Sequence, residues 1–233
     1  MIITALLTGK ENSTLKNKNK IKLFGEYIFN YSTKQAKKVK NINFFYTSSD
    51  SKIILNETKK IGFEIINRPK KLAKANTKHL DVLKHAVNIF KSKNQYPDIL
   101  VVLLANAPIV KSKWISDCIK ILKNNKNISA VVPVQQINDH HPERAKKIAK
   151  GFLKNFINKK KISSNRQDLE KCFFLCHNFW VIRTDEIYKN NGIPPWSFMG
   201  KKVKAYKIKN SIDIHYPIDI EIAKFILKNE KYI

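Results

Sequence analysis

The sequence is short of cysteine, and this shortage bears on where the protein works. Its 233 residues include three cysteines, Cys118, Cys172 and Cys176, which are too few for a disulfide framework. We therefore expect a reducing, cytoplasmic location. The spacing of Cys172, Cys176 and His177 matches no common zinc site, so buried thiols are expected there instead.

Long apolar runs and glycine-rich phosphate motifs are also missing. No run approaches the roughly 20 apolar residues of a membrane span, and we expect no membrane partner. The apolar segment at residues 2–7 is too short for a signal peptide and has no basic region before it. Neither Gly-x-x-x-x-Gly-Lys-Ser/Thr nor Gly-x-Gly-x-x-Gly occurs, which argues against a P-loop NTPase and a dinucleotide oxidoreductase.

Acidic residues are few, with 18 Asp and Glu against 45 Lys and Arg, and the formal net charge is +27. A charge of this sign attracts phosphate backbones. Only four of the basic residues are arginine, however, and specific nucleic-acid sites usually draw on arginine forks and stacking aromatics. The lysines are scattered along the whole chain. This distribution is typical of a solvent-exposed surface that became lysine-rich through a general shift in amino-acid composition. We therefore do not expect nucleic acid as the partner.

What the sequence does contain is the pattern of a layered α/β domain. Apolar residues make up 43% of the chain, enough for a folded core, and the length fits one domain over residues 1–233. Apolar runs alternate with amphipathic segments, which predicts a three-layer, Rossmann-like α/β fold with a mixed, mostly parallel sheet. Strands are expected at 2–7, 42–47, 62–66, 98–104, 129–134, 173–182 and 203–208. Helices are expected at 25–38, 51–60, 77–93, 112–123 and 218–229, with Thr77 as the N-cap of the third.

Residues 135–171 interrupt this alternation and are expected to form a small insertion. The segment is rich in Gln, His and Lys, and it contains a basic amphipathic stretch around Ile148, Phe152, Phe156 and Ile157. The insertion would be a substrate-covering arm or a dimer contact. An ordinary surface helix with a lysine-rich outer face is an equally open alternative. We expect a homodimer.

Polar segments follow four apolar runs, at the edge where open α/β sheets bind ligands. The first, residues 8–20, carries four lysines and one acid, a composition suited to a polyanion. The other three are Ser48-Ser49-Asp50, Ala105-Asn106-Ala107-Pro108 and Ile212-Asp213-Ile214-His215.

In this order the segments resemble the motifs of the acylneuraminate cytidylyltransferases, the CMP-sialic acid synthetase family. The family's loop Arg-x-x-Ser-Lys-x-(Ile/Leu)-x-x-Lys-Asn is similar to residues 10–19, and Gly25 follows as in the family. Its Ser-Thr-Asp resembles residues 48–50, and its Arg-Pro-x-x-Leu-Ala resembles residues 68–73. Its Leu-Leu-Gln-x-Thr-Ser-Pro turn and its Asp-Ile-Asp resemble residues 103–108 and 213–215. The chain departs from these motifs with Lys10 for Arg, Thr14 for Lys, Ala105 for Gln and His215 for the second Asp.

The resemblance implies transfer of CMP from CTP to an acidic sugar of the nonulosonic, sialic-acid-like type, with Mg²⁺ as cofactor and pyrophosphate as the second product. The barrier to such a transfer is mostly charge and alignment, so the protein must supply cations and positioning groups. Two rival interpretations remain open: another sugar-nucleotide enzyme with the same core, and a non-enzymatic basic protein that binds nucleotides or nucleic acid.

Each role in this reaction has candidate residues. The catalytic candidates are Lys10, Lys18 and Asp213. The nucleotide-binding candidates are Lys10, Asn12, Ser13, Lys18, Asn19 and Arg68. The candidates for binding the sugar are Asn106, His141, Arg144, Asn178 and His215.

Three candidates, one for the nucleotide and two for a metal ion, have further arguments for or against them. Arg68 is notable because arginine is rare in this chain, and its planar guanidinium group can form two parallel hydrogen bonds to one ligand. A structural salt bridge would also explain an arginine at this position. Mg²⁺ prefers one or two carboxylates plus phosphate oxygens, which favours Asp213 and Asp219 as metal ligands. Asp219 equally fits an ordinary acid in the first turn of a helix.

Overall fold

The structure, a computed structural model, describes residues 1–11, 15, 18–137, 139–159 and 161–230, with only the backbone of Asn19. The strands in these residues are β1 (Ile3–Thr8), β2 (Lys22–Leu23), β3 (Glu26–Tyr27), β4 (Phe44–Ser49), β5 (Glu64–Asn67), β6 (Ile99–Leu104), β7 (Ala130–Gln136), β8 (Lys146–Ala149), β9 (Phe152–Asn155), β10 (Phe173–Leu175), β11 (Phe179–Arg183) and β12 (Val203–Lys207). The helices are α1 (Ile28–Lys37), α2 (Lys52–Lys60), α3 (His79–Ser92), α4 (Ser112–Asn124), α5 (Glu186–Lys189) and α6 (Pro217–Asn229). Within the described ranges no helix is long and apolar enough to cross a bilayer.

The central sheet has eight strands, and β1 lies near its middle. β1 pairs in parallel with β4 on one side and β6 on the other, and β5 extends the sheet beyond β4. β11 runs antiparallel between β6 and β7, and β12 pairs in parallel with the far edge of β7. The predicted mixed, mostly parallel sheet is confirmed.

Helices cover both faces of this sheet, because successive residues of a strand point to opposite sides. Ile3, Ala5 and Leu7 of β1 face the layer that contains α1, α2, α4 and α6. Leu6 lies on the opposite face, in the cluster that contains the apolar side of α3. Burying each of these isoleucine and leucine side chains contributes roughly 1.5–3 kcal/mol. The three-layer core is therefore encoded in the alternation of each strand.

The predicted strand 173–182 is wrong in one respect, since it is broken into β10 and β11. Both pieces pair with the same edge of β7, where Leu175 is opposite Val134 and Val181 is opposite Val131. At the break, the Asn178 side chain accepts a hydrogen bond from the Phe179 N–H (3.0 Å). A side chain thus takes over hydrogen bonding where the regular strand is interrupted.

The predicted N-cap at Thr77 is also wrong. Helix α3 begins at His79 after Lys78, whose side chain makes no capping hydrogen bond. The Thr77 hydroxyl instead donates to the Lys71 carbonyl at 3.4 Å. This bond holds the loop that precedes the helix rather than the first turn itself.

Within residues 135–171 the amphipathic stretch forms a β-hairpin, so the surface-helix alternative is wrong. Strands β8 and β9 pair with each other through a two-residue turn at Lys150 and Gly151. Both turn residues have positive φ, 52° and 81°. A type I′ hairpin turn requires positive φ at both positions, whereas a right-handed helix requires negative values.

Candidate active site

The carboxyl ends of the parallel strands open onto a cavity of about 350 Å³. Thr8 is the register partner of both Ser48 and Leu104, so the polar segments after β1, β4 and β6 lie side by side. Five residues predicted from the sequence line the cavity: Lys10, Lys18, Arg68, Asn106 and His215. Its lining is Thr8, Gly9, Lys10, Lys18, Arg68, Leu72, Lys74, Thr77, His79, Val82, Ala105, Asn106 and His215.

Gly9 forms the cavity wall directly after β1. A Cβ atom at this position would lie 2.7 Å from Cδ1 of Ile54 and 2.9 Å from Cβ of Ala105, closer than carbon atoms pack. The Gly9 N–H donates to the carbonyl of Ser48 at 3.3 Å. The site therefore needs glycine here, because it brings the β1 backbone to the cavity between two packed side chains.

Lys18 projects from a short 3₁₀ turn, and its side chain is buried at the cavity. Burial lowers the pKa of its ammonium group, the carboxylates of Asp213 and Asp219 raise it, and Lys10 lowers it. Lys18 thus lies close enough to Asp213 for their charges to interact, as the sequence predicted. A partly desolvated cation beside a carboxylate and a second lysine suits an oxygen-rich anion bound together with a metal ion.

Arg68 lies under the cavity with its guanidinium group buried. Its Nε donates to Oγ of Ser48 at 3.2 Å, and its Nη2 donates to the Ser48 carbonyl. Burial lowers the pKa of Arg68 to about 10, while the charge of Asp50 raises it, so the group is cationic at neutral pH. These bonds go to Ser48, and no salt bridge of Arg68 is found among the described residues.

His79 was not identified from the sequence, although it lies in the cavity wall. Its Nε2 is 3.1 Å from Oγ1 of Thr8, the last residue of β1. Burial, together with the charges of Arg68 and His177, lowers the pKa of His79 to about 4. His79 is therefore neutral at pH 7. The signal available in the sequence was a histidine at the start of a helix that follows the Arg68 segment.

Asp213 is surrounded by two histidines. Its Oδ2 is 3.3 Å from Nδ1 of His177 and 3.7 Å from Nε2 of His215. Its Oδ1 is buried and has no hydrogen-bond partner among the described residues. An oxygen left over in this way fits a metal ligand, and Mg²⁺ binds through one or two carboxylates when phosphate oxygens and water complete its shell. Within the described ranges, no cluster of three or more His, Cys, Asp or Glu side chains could form an all-protein metal site.

Asp219 caps helix α6. Its Oδ2 accepts hydrogen bonds from the N–H groups of His215 (2.8 Å) and Tyr216 (2.7 Å), and the side chain completes a capping box. The alternative of a first-turn helix acid is thus observed. A metal role for Asp219 stays a prediction.

Three predicted sugar-binding residues do not line the cavity. Asn178 is fully buried, and its Nδ2 donates to the Ile109 carbonyl at 3.0 Å. Its side-chain amide is therefore hydrogen-bonded to the backbone. His141 lies at a separate cavity of about 320 Å³, where its Nε2 is 3.0 Å from the Glu170 carbonyl oxygen. Arg144 is exposed three residues further on. Asn12 and Ser13 lie outside the described residues, as does the side chain of Asn19.

Aromatic rings pack beside the histidines of the site. The Trp196 ring lies 5.0 Å from the His177 ring, and the Trp180 ring lies 5.3 Å from the His79 ring. Burial raises the pKa of Cys176 to about 11, which keeps this thiol protonated, as expected for a buried structural cysteine. The rings fix the orientation of both imidazoles next to the cavity.

A sequence model of a family described as cytidylyltransferase matches residues 11–228, nearly the whole chain. No curated protein sequence matches it.

Solved structures with a similar fold include two kinds of synthase. A CMP:2-keto-3-deoxy-manno-octonic acid synthetase complexed with CTP has a TM-score of 0.71 at 12% identity, covering 99% of this chain and 100% of that chain. A 4-diphosphocytidyl-2C-methyl-D-erythritol synthase from Anaerococcus prevotii has a TM-score of 0.64 at 15% identity, covering 97% and 96%. Another structure of such a synthase has a TM-score of 0.66 at 8% identity, covering 97% and 100%. At these identities the similarity concerns the fold.

Proposed function

Because the chain belongs to the cytidylyltransferase family, we propose that it transfers CMP from CTP to an acidic sugar of the nonulosonic type. The observation that carries this proposal is the cavity at the carboxyl edge of the sheet. Its buried Lys18 lies near a second lysine and near the Asp213 carboxylate, one oxygen of which has no hydrogen-bond partner in the part of the chain that the structure describes. This arrangement suits a triphosphate with a bound divalent cation.

In the proposed reaction an oxygen of the sugar attacks the α-phosphorus of CTP. The new bond from this oxygen to phosphorus forms as the bond from phosphorus to the bridging oxygen breaks, and pyrophosphate leaves. Lys10 and Lys18 neutralise the triphosphate oxygens, and the charge of Arg68 supports them from beneath the cavity. Mg²⁺ held by Asp213, when bound, would supply further neutralisation of the leaving pyrophosphate.

The choice of an acidic sugar rests on the charge of the cavity and on the sequence motifs. Lys10, Lys18, Lys74 and Arg68 all line it, more cations than a triphosphate with Mg²⁺ requires. A sugar carboxylate would use the surplus. The structure of the CMP:2-keto-3-deoxy-manno-octonic acid synthetase offers one precedent in the same fold for an acidic sugar. Asn106 and His215 are the cavity residues that we propose to contact the sugar.

The test is pyrophosphate release from CTP with a panel of nonulosonic acids, with and without Mg²⁺. Lys18→Ala should lower kcat/KM by about 10²-fold or more, because it removes one preorganised charge from the transferring group. Asp213→Asn should weaken the dependence on Mg²⁺. The matched control is Lys20→Ala, two residues from Lys18 and exposed, which should change little.

Several outcomes would contradict this proposal. One is the absence of pyrophosphate release with every acid tested, together with no thermal shift by CTP. A shift by UTP or GTP but not by CTP would point to a different sugar-nucleotide enzyme. Equal losses in Lys18→Ala and Lys20→Ala would show that the loop acts through bulk charge alone.

Three further expectations belong to the same proposal. We propose a cytoplasmic location, Mg²⁺ as the cofactor and a homodimer as the assembly. Light scattering on the purified chain measures the last of these directly. A dimer would not by itself identify the surface that joins the two copies.

A further inference from the structure

An imidazole lies beside the carboxylate that we propose as a metal ligand. Nε2 of His215 is 3.7 Å from Oδ2 of Asp213, which is too long for a hydrogen bond. Two bonds of about 2.1 Å from one metal ion span about 3.0 Å when they meet at a right angle and about 3.6 Å at 120°. The side chain of His215 lines the cavity and is 47% exposed, so it has room for the small movement required. The two atoms are thus spaced as neighbouring ligands of one ion.

The backbone holds both residues in this arrangement. Ile214 between them is fully buried, and its N–H donates to the Asn106 carbonyl at 3.0 Å. The N–H of His215 donates to Oδ2 of Asp219 at 2.8 Å, in the cap of helix α6. Because Ile214 points into the core, Asp213 and His215 extend from the other side of the segment. A backbone fixed in this way lowers the entropy cost of bringing two ligands to one ion.

His177 orients the carboxylate. Its Nδ1 is 3.3 Å from Oδ2 of Asp213, and its ring packs against the rings of Trp196 and Trp180 at 5.0 and 5.8 Å. Groups that contact a ligating side chain in this way fix its direction and raise the affinity for the metal. Oδ1 of Asp213 is buried and has no partner in the part of the chain that the structure describes. The carboxylate is therefore held in one orientation without being saturated by the chain.

The charge around these two ligands does not favour Mg²⁺. Lys10 and Lys18 line the same cavity, and the positive charge of Lys18 acts on Asp213. Asp219, the other acid that acts on Lys18, already accepts two backbone hydrogen bonds. Mg²⁺ takes oxygen ligands and depends on carboxylate charge, whereas transition-metal ions also bind imidazole nitrogen. The nitrogen of His215 therefore favours a transition-metal ion.

We propose that this site selects a divalent transition-metal ion over Mg²⁺, with Nε2 of His215 and the Asp213 carboxylate as its protein ligands. Phosphate oxygens of CTP and water complete the shell. Two protein ligands agree with the lack of an all-protein cluster of three within the described ranges. The inference rests on the proposed function and refines its choice of ion. For such an ion, the bond to His215 takes the place of the direct contact with the sugar proposed above.

The test uses the full-length chain, stripped of metal, with CTP and with Mn²⁺ as a paramagnetic probe. Loss of the electron paramagnetic resonance signal of free Mn²⁺ measures binding, and CTP without the chain gives the background. His215→Ala should weaken the binding of Mn²⁺ about 10-fold or more, since losing even an outer partner of a metal site costs about 10–100-fold. Electron spin-echo spectra of the parent chain should show coupling to a directly bound ¹⁴N, and His215→Ala should lose it.

Two further variants separate the imidazole from the general effects of mutation. His215→Asp supplies an oxygen ligand, so it should bind Mn²⁺ without the nitrogen coupling. The concentration of Mg²⁺ that displaces half of the Mn²⁺ should be about 10-fold lower in His215→Asp than in the parent chain, or less still. The matched control is His140→Ala, which removes an exposed histidine and should behave as the parent chain does.

The inference is wrong if His215→Ala keeps the nitrogen coupling or the Mn²⁺ affinity of the parent chain, because the imidazole is then not a ligand. Displacement of Mn²⁺ from the parent chain by an equal concentration of Mg²⁺ would also overturn it, because the site would then not select between the ions. Release of pyrophosphate from CTP would survive each of these results, and the proposed function would stand. A chain that takes up CTP with neither ion would overturn the proposed function, and this inference with it.

Discussion

At the scale of single residues, His79 illustrates how the fold changes the chemistry of a side chain. It is half-buried beside Thr8 and near Arg68, and the loss of hydration together with the nearby positive charge strongly favours its neutral form. The unfolded chain takes up a proton near pH 6.5, whereas the folded chain does so only near pH 4. Between these values the unfolded state binds more protons, so stability must fall as the pH falls.

We predict that this histidine makes the fold sensitive to acid. The free energy of unfolding should drop by about 3 kcal/mol from pH 7 to below pH 4 through His79 alone. Urea titrations at several pH values measure it, with His79→Gln as the variant that removes the titrating group. His140→Gln, at an exposed histidine, is the control. Parallel curves for the parent chain and His79→Gln would contradict the prediction.

Residues differ in how well the sequence revealed them. Arg68 could be predicted to matter, because arginine is rare here and stands in a family-like motif. Its partner could not, since the contact with Ser48 depends on the alignment of β4 with the segment after β5. His79 was missed because burial, not spacing, decides its protonation. Asn178 was assigned to the sugar, yet its amide is used by the backbone at a strand break.

At the scale of elements, helix α6 tests whether Asp219 is a cap or a metal ligand. Replacing a capping side chain with alanine costs about 1 kcal/mol, so Asp219→Ala should lower the free energy of unfolding by about that amount. If the carboxylate serves only as a cap, the dependence of catalysis on Mg²⁺ should stay unchanged. Glu221→Ala, at an exposed ion pair on the same helix, should cost less than about 0.5 kcal/mol. Loss of the Mg²⁺ response in Asp219→Ala would instead assign the carboxylate to the metal.

Most elements were predictable from periodicity, and the failures have local causes. The run 98–104 is apolar on both faces and became β6, which is buried between two helix layers. The stretch near residue 150 also has apolar residues at intervals that suit a helix. The stretch forms a hairpin instead because Lys150 adopts a positive φ, which allows a tight turn with Gly151. Lysine gives no sequence signal for that conformation, because Asn or Asp before Gly is the usual one.

At the scale of the whole molecule, the register of the sheet assembles the site. The parallel strands β1, β4 and β6 end in line, so segments about 40 and 100 residues apart meet at one cavity. The alternation of strands and helices predicted this edge. The alternation alone did not bring Lys18 and Asp213 together. The order of the family-like motifs did, and in the structure the charges of these two side chains interact.

The net charge of +27 is also a property of the whole molecule, and it should make stability depend on salt. Positive charges in such excess repel one another in the folded state, and salt shortens the range of that repulsion from about 30 Å at 0.01 M to about 10 Å at 0.1 M. The ion pairs that salt weakens are mostly exposed, such as Lys113–Asp117, and contribute little.

We therefore predict that the melting temperature rises with NaCl. A gain of about 1 kcal/mol corresponds to about 2–4 °C for a chain of this size, and calorimetry in 0.01–0.3 M NaCl would detect it. A variant with Lys38→Glu, Lys91→Glu and Lys123→Glu reverses three exposed charges and should show a smaller rise. If the parent chain and this variant rise equally, the salt acts through anions bound at a particular site. A fall in the parent chain would mean that ion pairs outweigh the repulsion.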